Sequence, residues 1–260
     1  MKRFFRDLKK YWPYLIYAAK SDLKSEVANS RLNWLWWILD PLLFMLVYTF
    51  IGLVVFQKSV EYFPVFVFTG LTLWYFFLKT VNVSVTMVRN NKSIVTKTYL
   101  PKHIFVLQRM LVNQFKMLVA FVLVAIMMVI WQVPLSARIL QLLPAIVVLW
   151  VVTFGVSTIL MHFGVFLNDL SNVVTVVLRL MLYLSGIFYS IADRVPEPYN
   201  MIMLKVNPVA LCIDTARGAL LYQAELDYMM LGIWFVAGIA LSVIGIKLIY
   251  KYENSYAKVI

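Results

Sequence analysis

The sequence has few of the residues on which soluble enzymes depend. Among its 260 residues there is a single cysteine, Cys212, which excludes an intrachain disulfide and a multi-cysteine metal site. It has only nine glycines, and none of them forms the Gly-x-x-x-x-Gly-Lys loop that binds nucleotide phosphates. Charged residues make up 14% of the chain, whereas a soluble domain has about 25%. The composition therefore excludes an ordinary soluble globule and a P-loop nucleotide enzyme.

The chain is instead rich in hydrophobic residues and in positive charge. Hydrophobic residues make up 63% of it, and its mean hydropathy is +0.83. Lysine and arginine number 24 against 12 aspartates and glutamates, which gives a formal net charge of +12. This balance is typical of a protein that faces anionic lipid headgroups, and we expect no nucleic-acid partner. We predict an all-α integral membrane protein.

Six apolar stretches predict six transmembrane helices, because a span needs about 20 predominantly apolar residues. The stretches lie at residues 34–56, 63–88, 112–131, 139–167, 173–191 and 228–250. The predicted organisation is a cytoplasmic arm with an interface helix at residues 1–33, a six-span transmembrane domain at 34–250 and a cytoplasmic tail at 251–260.

The first 33 residues combine basic side chains with a regular apolar pattern. Phe4, Leu8, Tyr11 and Leu15 recur at spacings of three and four residues, and lysines and arginines lie between them. This pattern predicts an amphipathic helix in the membrane interface, with its lysines directed toward phosphate headgroups. A solvated basic arm is the alternative.

Lysine and arginine are unevenly distributed among the predicted connections. The amino-terminal arm has eight and the connection between spans two and three has five, whereas the first and third connections have one each. Because basic residues concentrate in cytoplasmic connections, both termini are predicted to face the cytoplasm. We therefore predict a multi-pass protein of the cytoplasmic (inner) membrane.

The connection between spans five and six is both proline-rich and apolar. Pro196, Pro198 and Pro208 interrupt it, yet long aliphatic residues surround them. Prolines break a full span, and an apolar segment does not suit a free loop. The segment predicts short helices, two in number, that re-enter the membrane or lie on its outer leaflet.

Polar side chains within the apolar stretches mark candidate functional positions. Asp40 lies near the start of span one, where an interfacial salt bridge is the alternative to a functional role. Lys79 and Asn82 belong to a polar stripe on one face of span two, which suits either a hydrated path or helix packing. Arg179, in span five, suits contact with lipid headgroups or with an anionic lipid-linked substrate.

The sequence offers little for catalysis. His103 and His162 are not at metal-ligand spacing, and His162 is predicted to be a hydrogen-bonded packing residue. No pair of carboxylates sits at the outer ends of neighbouring spans, as general acid–base chemistry on a lipid-linked substrate would require. We expect no catalytic residue and no metal site, and any work must draw its energy from another molecule.

Several short motifs occur in a fixed order. They are RLNWLWWILDP at residues 31–41, YLP at 99–101, NDL at 168–170, LRLMLYL at 178–184, and Asn207-Pro208 followed by Arg217. In this order the chain resembles, over nearly its whole length, the membrane subunit of ABC exporters for cell-surface polysaccharides, which include O-antigen, capsule and teichoic-acid permeases. The 178–184 motif is most similar to the teichoic-acid members. Asn168 departs from the pattern, because many relatives have arginine there.

The resemblance implies a homodimer bound to two separately encoded ATP-binding-cassette subunits. Those subunits would hold ATP and magnesium, and this chain would hold no cofactor. A coupling helix would lie in the connection at residues 90–103 and seat in a groove on the ATPase. The residues implied in coupling are Asn91, Lys92, Ile94, Val95, Lys97, Tyr99, Leu100 and Pro101.

The resemblance also implies a lipid-linked glycan as substrate and membrane lipid as a further partner. A lipid-pyrophosphate-linked glycan would pass through a lateral opening between spans one and five. Phe44 and Tyr48 share a helical face and would suit stacking on sugars. The residues expected along the path, or at lipid headgroups, are Arg31, Trp34, Asp40, Phe44, Tyr48, Lys79, Asn82, Arg179 and Tyr183.

Two other functions remain open from the residues alone. An ion-coupled secondary transporter would need an ionisable group near mid-membrane, and Asp40 is the only acidic candidate. A membrane enzyme acting on lipid-linked sugars would need acid–base residues that the sequence does not offer.

Overall fold

The computed structural model describes residues 2–28, 33–52 and 60–259, and within these ranges the protein is helical and has no β-strand. The α-helices are α1 (Lys2–Ala28), α2 (Asn33–Phe50), α3 (Phe63–Ser84), α4 (Met87–Asn90), α5 (Lys92–Lys97), α6 (His103–Ile130), α7 (Leu142–Phe166), α8 (Leu170–Leu184), α9 (Ile191–Arg194), α10 (Tyr199–Val206), α11 (Pro208–Arg217) and α12 (Tyr228–Val259). A 3₁₀ turn at Ala137–Gln141 leads into α7, and a π-helical turn at Gly218–Tyr222 follows α11. The predicted all-α class is confirmed.

Four helical segments within the described ranges are long and apolar enough to cross a membrane. They are α3, α6, α7 with its preceding turn, and α12 as far as Tyr256. Two further helices, α2 and α8, are apolar but shorter. The protein is therefore a multi-pass helical membrane protein, and the number of six spans stays a prediction.

The helix in the predicted fifth stretch, α8, ends before residue 191. It stops at Leu184, and Gly186 follows with a φ of +63°, a left-handed conformation that glycine adopts without strain. Its 15 residues rise about 22 Å, less than the roughly 30 Å thickness of a bilayer's hydrocarbon core. A glycine turn thus shortens a helix that hydropathy alone extends.

Two helices are longer than the apolar stretches that predicted them. α6 begins at His103 rather than at residue 112, and the polar side chains Gln108 and Arg109 in its first turns contact α1. α12, which contains the predicted sixth span, continues to Val259. Most of the predicted tail at 251–260 is therefore part of α12. Hydropathy detects the apolar part of a helix and misses the polar turns that pack on other helices.

The centre of the bundle is α3. Its most apolar window is 78% buried within the chain, whereas the corresponding window of α12 is only 22% buried. α3 contacts α2, α6, α7, α8 and α11. Among the spans, α6 and α7 therefore pack directly on α3, whereas most of the surface of α12 is left to lipid or to a partner chain.

α7 and α12 form a close helix pair through small residues. Gly155 lies against the backbone of Gly238 and Ser242, and Gly245 lies directly against Thr158. A methyl group at Gly245 would overlap the Thr158 hydroxyl oxygen, so the helices approach at a distance that only glycine permits. Small residues are the usual means of bringing membrane helices together.

The connection between α8 and α12 contains the short helices α9, α10 and α11, of which α10 and α11 lie in the proline-rich segment. α10 is largely exposed, whereas α11 is buried against α3 and α7. The Asn207 side chain accepts hydrogen bonds from the amides of Val209 and Ala210 at the start of α11, and Pro208 takes the first helical position. Whether these helices re-enter the membrane stays a prediction.

Arg217 fixes this connection to α3. Its side chain is buried and donates to the carbonyl oxygens of Phe66 at 3.0 Å, Gly186 at 2.7 Å and Ile187 at 2.7 Å. The guanidinium also lies 3.4 Å from the centre of the Phe66 ring. One cation therefore joins the end of α11, the turn after α8 and the first turn of α3.

Candidate functional site

The charges of α1 are arranged by sign. Its acidic residues each contact another helix: Asp7 accepts from the Tyr250 hydroxyl at 2.7 Å, Asp22 accepts from the Gln108 amide at 2.8 Å, and Glu26 contacts α6. The lysines of α1 are exposed, namely Lys2, Lys9, Lys10, Lys20 and Lys24. The acids thus attach the helix to the bundle and the lysines face outward, as suits a helix on an anionic lipid surface.

Three distant parts of the chain meet at Arg3. Its guanidinium donates to both carboxylate oxygens of Glu253 on α12, at 2.7 and 2.9 Å, and to the Tyr99 hydroxyl at 2.6 Å. It also lies 3.8 Å from Asp7 and 4.2 Å from the centre of the Tyr250 ring. We call these five residues the Arg3 hub, because they join α1, α12 and the loop between α5 and α6.

The hub stabilises the charged form of its arginine. Hydrogen bonding to Glu253 raises the pKa of Arg3, and the Tyr99 contact adds to this effect. Burial raises the pKa of the Tyr99 phenol, which therefore stays neutral at physiological pH. Nearby, burial lowers the pKa of the Lys102 amine, which donates to the Leu100 carbonyl at 3.1 Å.

The residues predicted to couple to an ATPase divide into two groups in the structure. Val95, Leu100 and Pro101 are buried in the protein's own core, and Asn91 and Ile94 are partly buried. Lys92, Lys97 and Tyr99 are exposed. The buried residues hold α5 and its loop in place, and the exposed residues form the surface available to a partner.

Arg89 joins α4 to the end of α7. Its guanidinium donates to the carbonyl oxygens of Gly164 and Leu167. These carbonyls lie at the end of α7, where no following helical turn supplies N–H donors. A cation also interacts favourably with the negative end of a helix dipole. The predicted coupling segment is thus attached to α7 at one end and to α1 and α12 at the other.

A charged cavity of about 360 Å³ lies between the end of α1 and helices α2, α3 and α6. Its volume falls within the range of about 300–1,000 Å³ that is typical of small-molecule sites. Its charged lining residues are Glu26, Asp40, Lys79, Arg109 and Lys116. Aromatic and apolar side chains complete the wall, among them Trp36, Trp37, Phe76 and Met117.

Ion pairs cross this charged cavity. The Glu26 carboxylate lies between two cations of α6, 3.2 Å from Arg109 and 2.5 Å from Lys116. Lys116 also lies 4.9 Å from the centre of the Trp37 ring. In a second ion pair of the lining, the Lys79 amine lies 4.0 Å from the Asp40 carboxylate. The structure therefore brings together two predicted path residues, Asp40 and Lys79.

The other predicted path residues are placed separately. Tyr48 stacks between Phe44, at a ring-centre distance of 6.5 Å, and Phe188, at 3.4 Å. The Asn82 amide oxygen accepts from Thr175 on α8 at 3.5 Å. Trp34, Arg179 and Tyr183 are exposed on α2 and α8, and Arg31 lies outside the described residues.

Glu26 was not singled out from the sequence, whereas Arg109 and Lys116 suited contact with headgroups or attraction of an anionic lipid-linked substrate. The two cations share one face of α6, which the sequence showed, but their partner is more than 80 residues earlier. No local pattern marked Glu26, which is one of three acidic residues in the basic helix α1. The prediction for His162 is confirmed, since its Nδ1 lies 2.7 Å from the Tyr256 hydroxyl.

Comparison with known protein families matches residues 15–221 to the ABC-2 type transporter membrane family. This interval extends from the middle of α1 to the π-helical turn after α11, and it includes the charged cavity and the predicted coupling segment. The chain belongs to the ABC-2 type transporter family. It is therefore the membrane subunit of an ABC transporter, as the sequence motifs predicted.

Similar proteins extend this match over nearly the full chain. An O-antigen export system permease protein RfbA from Klebsiella pneumoniae is 28% identical over 95% of this chain and 94% of its own length. Another RfbA permease, from Myxococcus xanthus, is 27% identical over 87% of this chain and 86% of its own length. These relatives are permease subunits, which agrees with a chain that has no phosphate-binding loop.

Proposed function

We propose that this chain is the transmembrane subunit of an ATP-driven exporter of a lipid-linked cell-surface glycan of the O-antigen type. The observation that carries the proposal is the match to an O-antigen export permease, which is 28% identical to this chain over 95% of the chain's length. The charged cavity supports it, because a lipid-linked glycan presents a phosphate-bearing headgroup at the membrane surface. A membrane enzyme is disfavoured, since the cavity's carboxylates are paired with cations.

The proposed assembly contains two copies of this chain and two ATP-binding subunits, which would bind ATP and magnesium. Large hydrophobic side chains are exposed along α2 and α8, including Phe44, Val47, Phe50, Val176 and Leu180. These faces would border a path between the two copies. In this arrangement α2 and α8 complete a six-span domain, and both termini lie on the cytoplasmic side of the inner membrane.

Coupling would use the exposed surface of α5 and the following loop. Lys92, Lys97 and Tyr99 project from this segment, while Val95 and Leu100 hold it against the bundle. The Arg3 hub and Arg89 would then carry a displacement of the loop to α1, α12 and α7. ATP-driven closure of the partner subunits would supply that displacement.

The proposed function is tested by surface glycan and ATPase association together. Cells without this chain should lose the surface glycan and accumulate its lipid-linked form in the inner leaflet, and the tagged chain should co-purify with an ATP-binding-cassette protein. Restoration by the wild-type chain is the control. Normal surface glycan in the deletion strain, or transport that needs an ion gradient but not ATP, would overturn the proposal.

A further inference from the structure

The charged cavity holds an unequal set of charges. Lys79, Arg109 and Lys116 contribute three positive charges, and Asp40 and Glu26 contribute two negative ones. Of the cavity's cations, Arg109 and Lys116 share a single carboxylate. The Nε atom of Arg109 is buried and, among the described residues, has no hydrogen-bond partner. The cavity thus has donor capacity and positive charge beyond what its own acids use.

We propose that the charged cavity binds the diphosphate group of a lipid-linked substrate, and that Glu26 is an internal competitor for the same cations. The inference rests on the proposed function and names the part of the substrate that this cavity recognises. Arg109 offers planar paired donors and Lys116 a compact point charge, the two kinds of group that bind phosphate oxygens. Lys79 also lines the cavity and adds a third cation.

The lining of the cavity suits a phosphate that is attached to a lipid. Phe76, Met117, Ala120 and Pro41 form apolar walls beside the charged groups. Trp36 is half-exposed, and Trp37 packs against both Lys116 and Phe115. Free phosphate gains nothing from an apolar wall, whereas the first carbons of a polyprenyl or acyl chain do.

The position of Glu26 couples the cavity to α1. Glu26 lies in the last turn of α1, and its carboxylate stands between the two α6 cations as a phosphate oxygen would. A diphosphate carries more negative charge than one carboxylate, so it competes effectively for the pair. Binding therefore displaces the end of α1 from α6, which makes the amphipathic helix a substrate-responsive cover for the cavity.

The test measures binding to the purified full-length chain in neutral detergent, without ATP or a partner subunit. The probes are farnesyl diphosphate, inorganic diphosphate and dioleoyl phosphatidylglycerol. Farnesyl diphosphate should bind the wild-type chain more tightly than either other probe. Glu26→Gln should strengthen its binding about tenfold, since about 1.4 kcal/mol corresponds to a factor of ten. Arg109→Gln and Lys116→Gln should each weaken it about tenfold or more.

Matched controls use exposed charges elsewhere in the chain. Glu225→Gln and Lys205→Gln alter the same kinds of side chain outside the charged cavity and should leave the dissociation constant within about twofold. If Arg109→Gln fails to fold, Arg109→Lys keeps the charge but loses the paired donors and should weaken binding by a smaller factor. Thermal unfolding curves identify any variant whose loss is a folding defect.

Several results would overturn the inference. Unchanged or weaker farnesyl diphosphate binding in Glu26→Gln would remove the role of Glu26. Equal binding of inorganic diphosphate would show a site for free phosphate, and equal binding of phosphatidylglycerol would show a structural lipid site. Because the measurement uses neither ATP nor export, a chain that binds diphosphate normally while surface glycan persists in the deletion strain would overturn the proposed function alone.

Discussion

At the scale of single residues, Arg217 shows how much one side chain can contribute to the stability of the fold. It is a buried cation whose donors serve three backbone carbonyl oxygens on two other segments. A buried acceptor that loses its donor costs about 1–3 kcal/mol, and several lost together cost more. The sequence marked this arginine only as part of a family pattern, because none of these three hydrogen bonds is local.

We expect Arg217→Gln to lower the free energy of unfolding by about 3 kcal/mol, since a glutamine amide cannot replace all three hydrogen bonds. Thermal unfolding of the purified chain in detergent measures this loss. Arg179→Gln provides the control, because Arg179 is exposed and its replacement should cost less than about 0.5 kcal/mol. Equal melting temperatures for the two variants would contradict the structural role of Arg217.

At the scale of helices, the α7–α12 pair depends on glycine at the points of contact. Gly245 faces Thr158, whose hydroxyl already donates to the carbonyls of Phe154 and Gly155 and cannot easily move away. Gly232, near the start of α12, has open space around its α-carbon. The same helix thus contains a crowded glycine and an uncrowded one.

This contrast gives a matched pair of substitutions. Gly245→Ala should destabilise the protein by about 1–3 kcal/mol, because the added methyl group forces the helices apart. Gly232→Ala should change stability by less than about 0.5 kcal/mol. Denaturation of both variants in the same detergent measures the difference, and an equally stable Gly245→Ala would show that the helices are not held at this distance.

The α5 segment combines a buried face with an exposed one, and each face supports a different expectation. Lys92→Glu with Lys97→Glu changes exposed charges only, so it should leave the melting temperature unchanged and reduce co-purification of the ATPase at least fivefold, a loss of about 1 kcal/mol. Val95→Asp buries a charge and should instead destabilise the chain. Full ATPase association by the double lysine variant would contradict the proposed docking surface.

At the scale of the whole molecule, the sequence predicted what depends on neighbouring residues. Hydropathy identified the apolar helices, and the spacing of Phe4, Leu8, Tyr11 and Leu15 predicted α1 as an amphipathic helix, which the structure confirms as a helix. Helix ends were predicted less well where they depend on tertiary contacts. α6 starts early because α1 contacts its polar residues, and α8 ends at a glycine turn that Arg217 holds.

The candidate site was predicted only in part, for the same physical reason. Asp40 and Lys79 were recognised because an ionisable group in an apolar stretch is conspicuous by itself. Glu26 was not recognised, since its position in a basic interface helix gives no sign that it faces α6. The pairing of Glu26 with Arg109 and Lys116 depends on how α1 crosses the bundle, which no local pattern specifies.

The length of α12 has a mechanical consequence. Its 32 residues form one continuous rod, roughly 48 Å from end to end. Glu253 near one end is fastened to Arg3 and Tyr99, and Trp234 near the other donates to the backbone of Lys205 on α10. Between these fastenings α12 packs along α7, with close contacts at Gly238, Ser242 and Gly245. One uninterrupted helix therefore links the part of the protein that contains the Tyr99 loop to the part that contains α10.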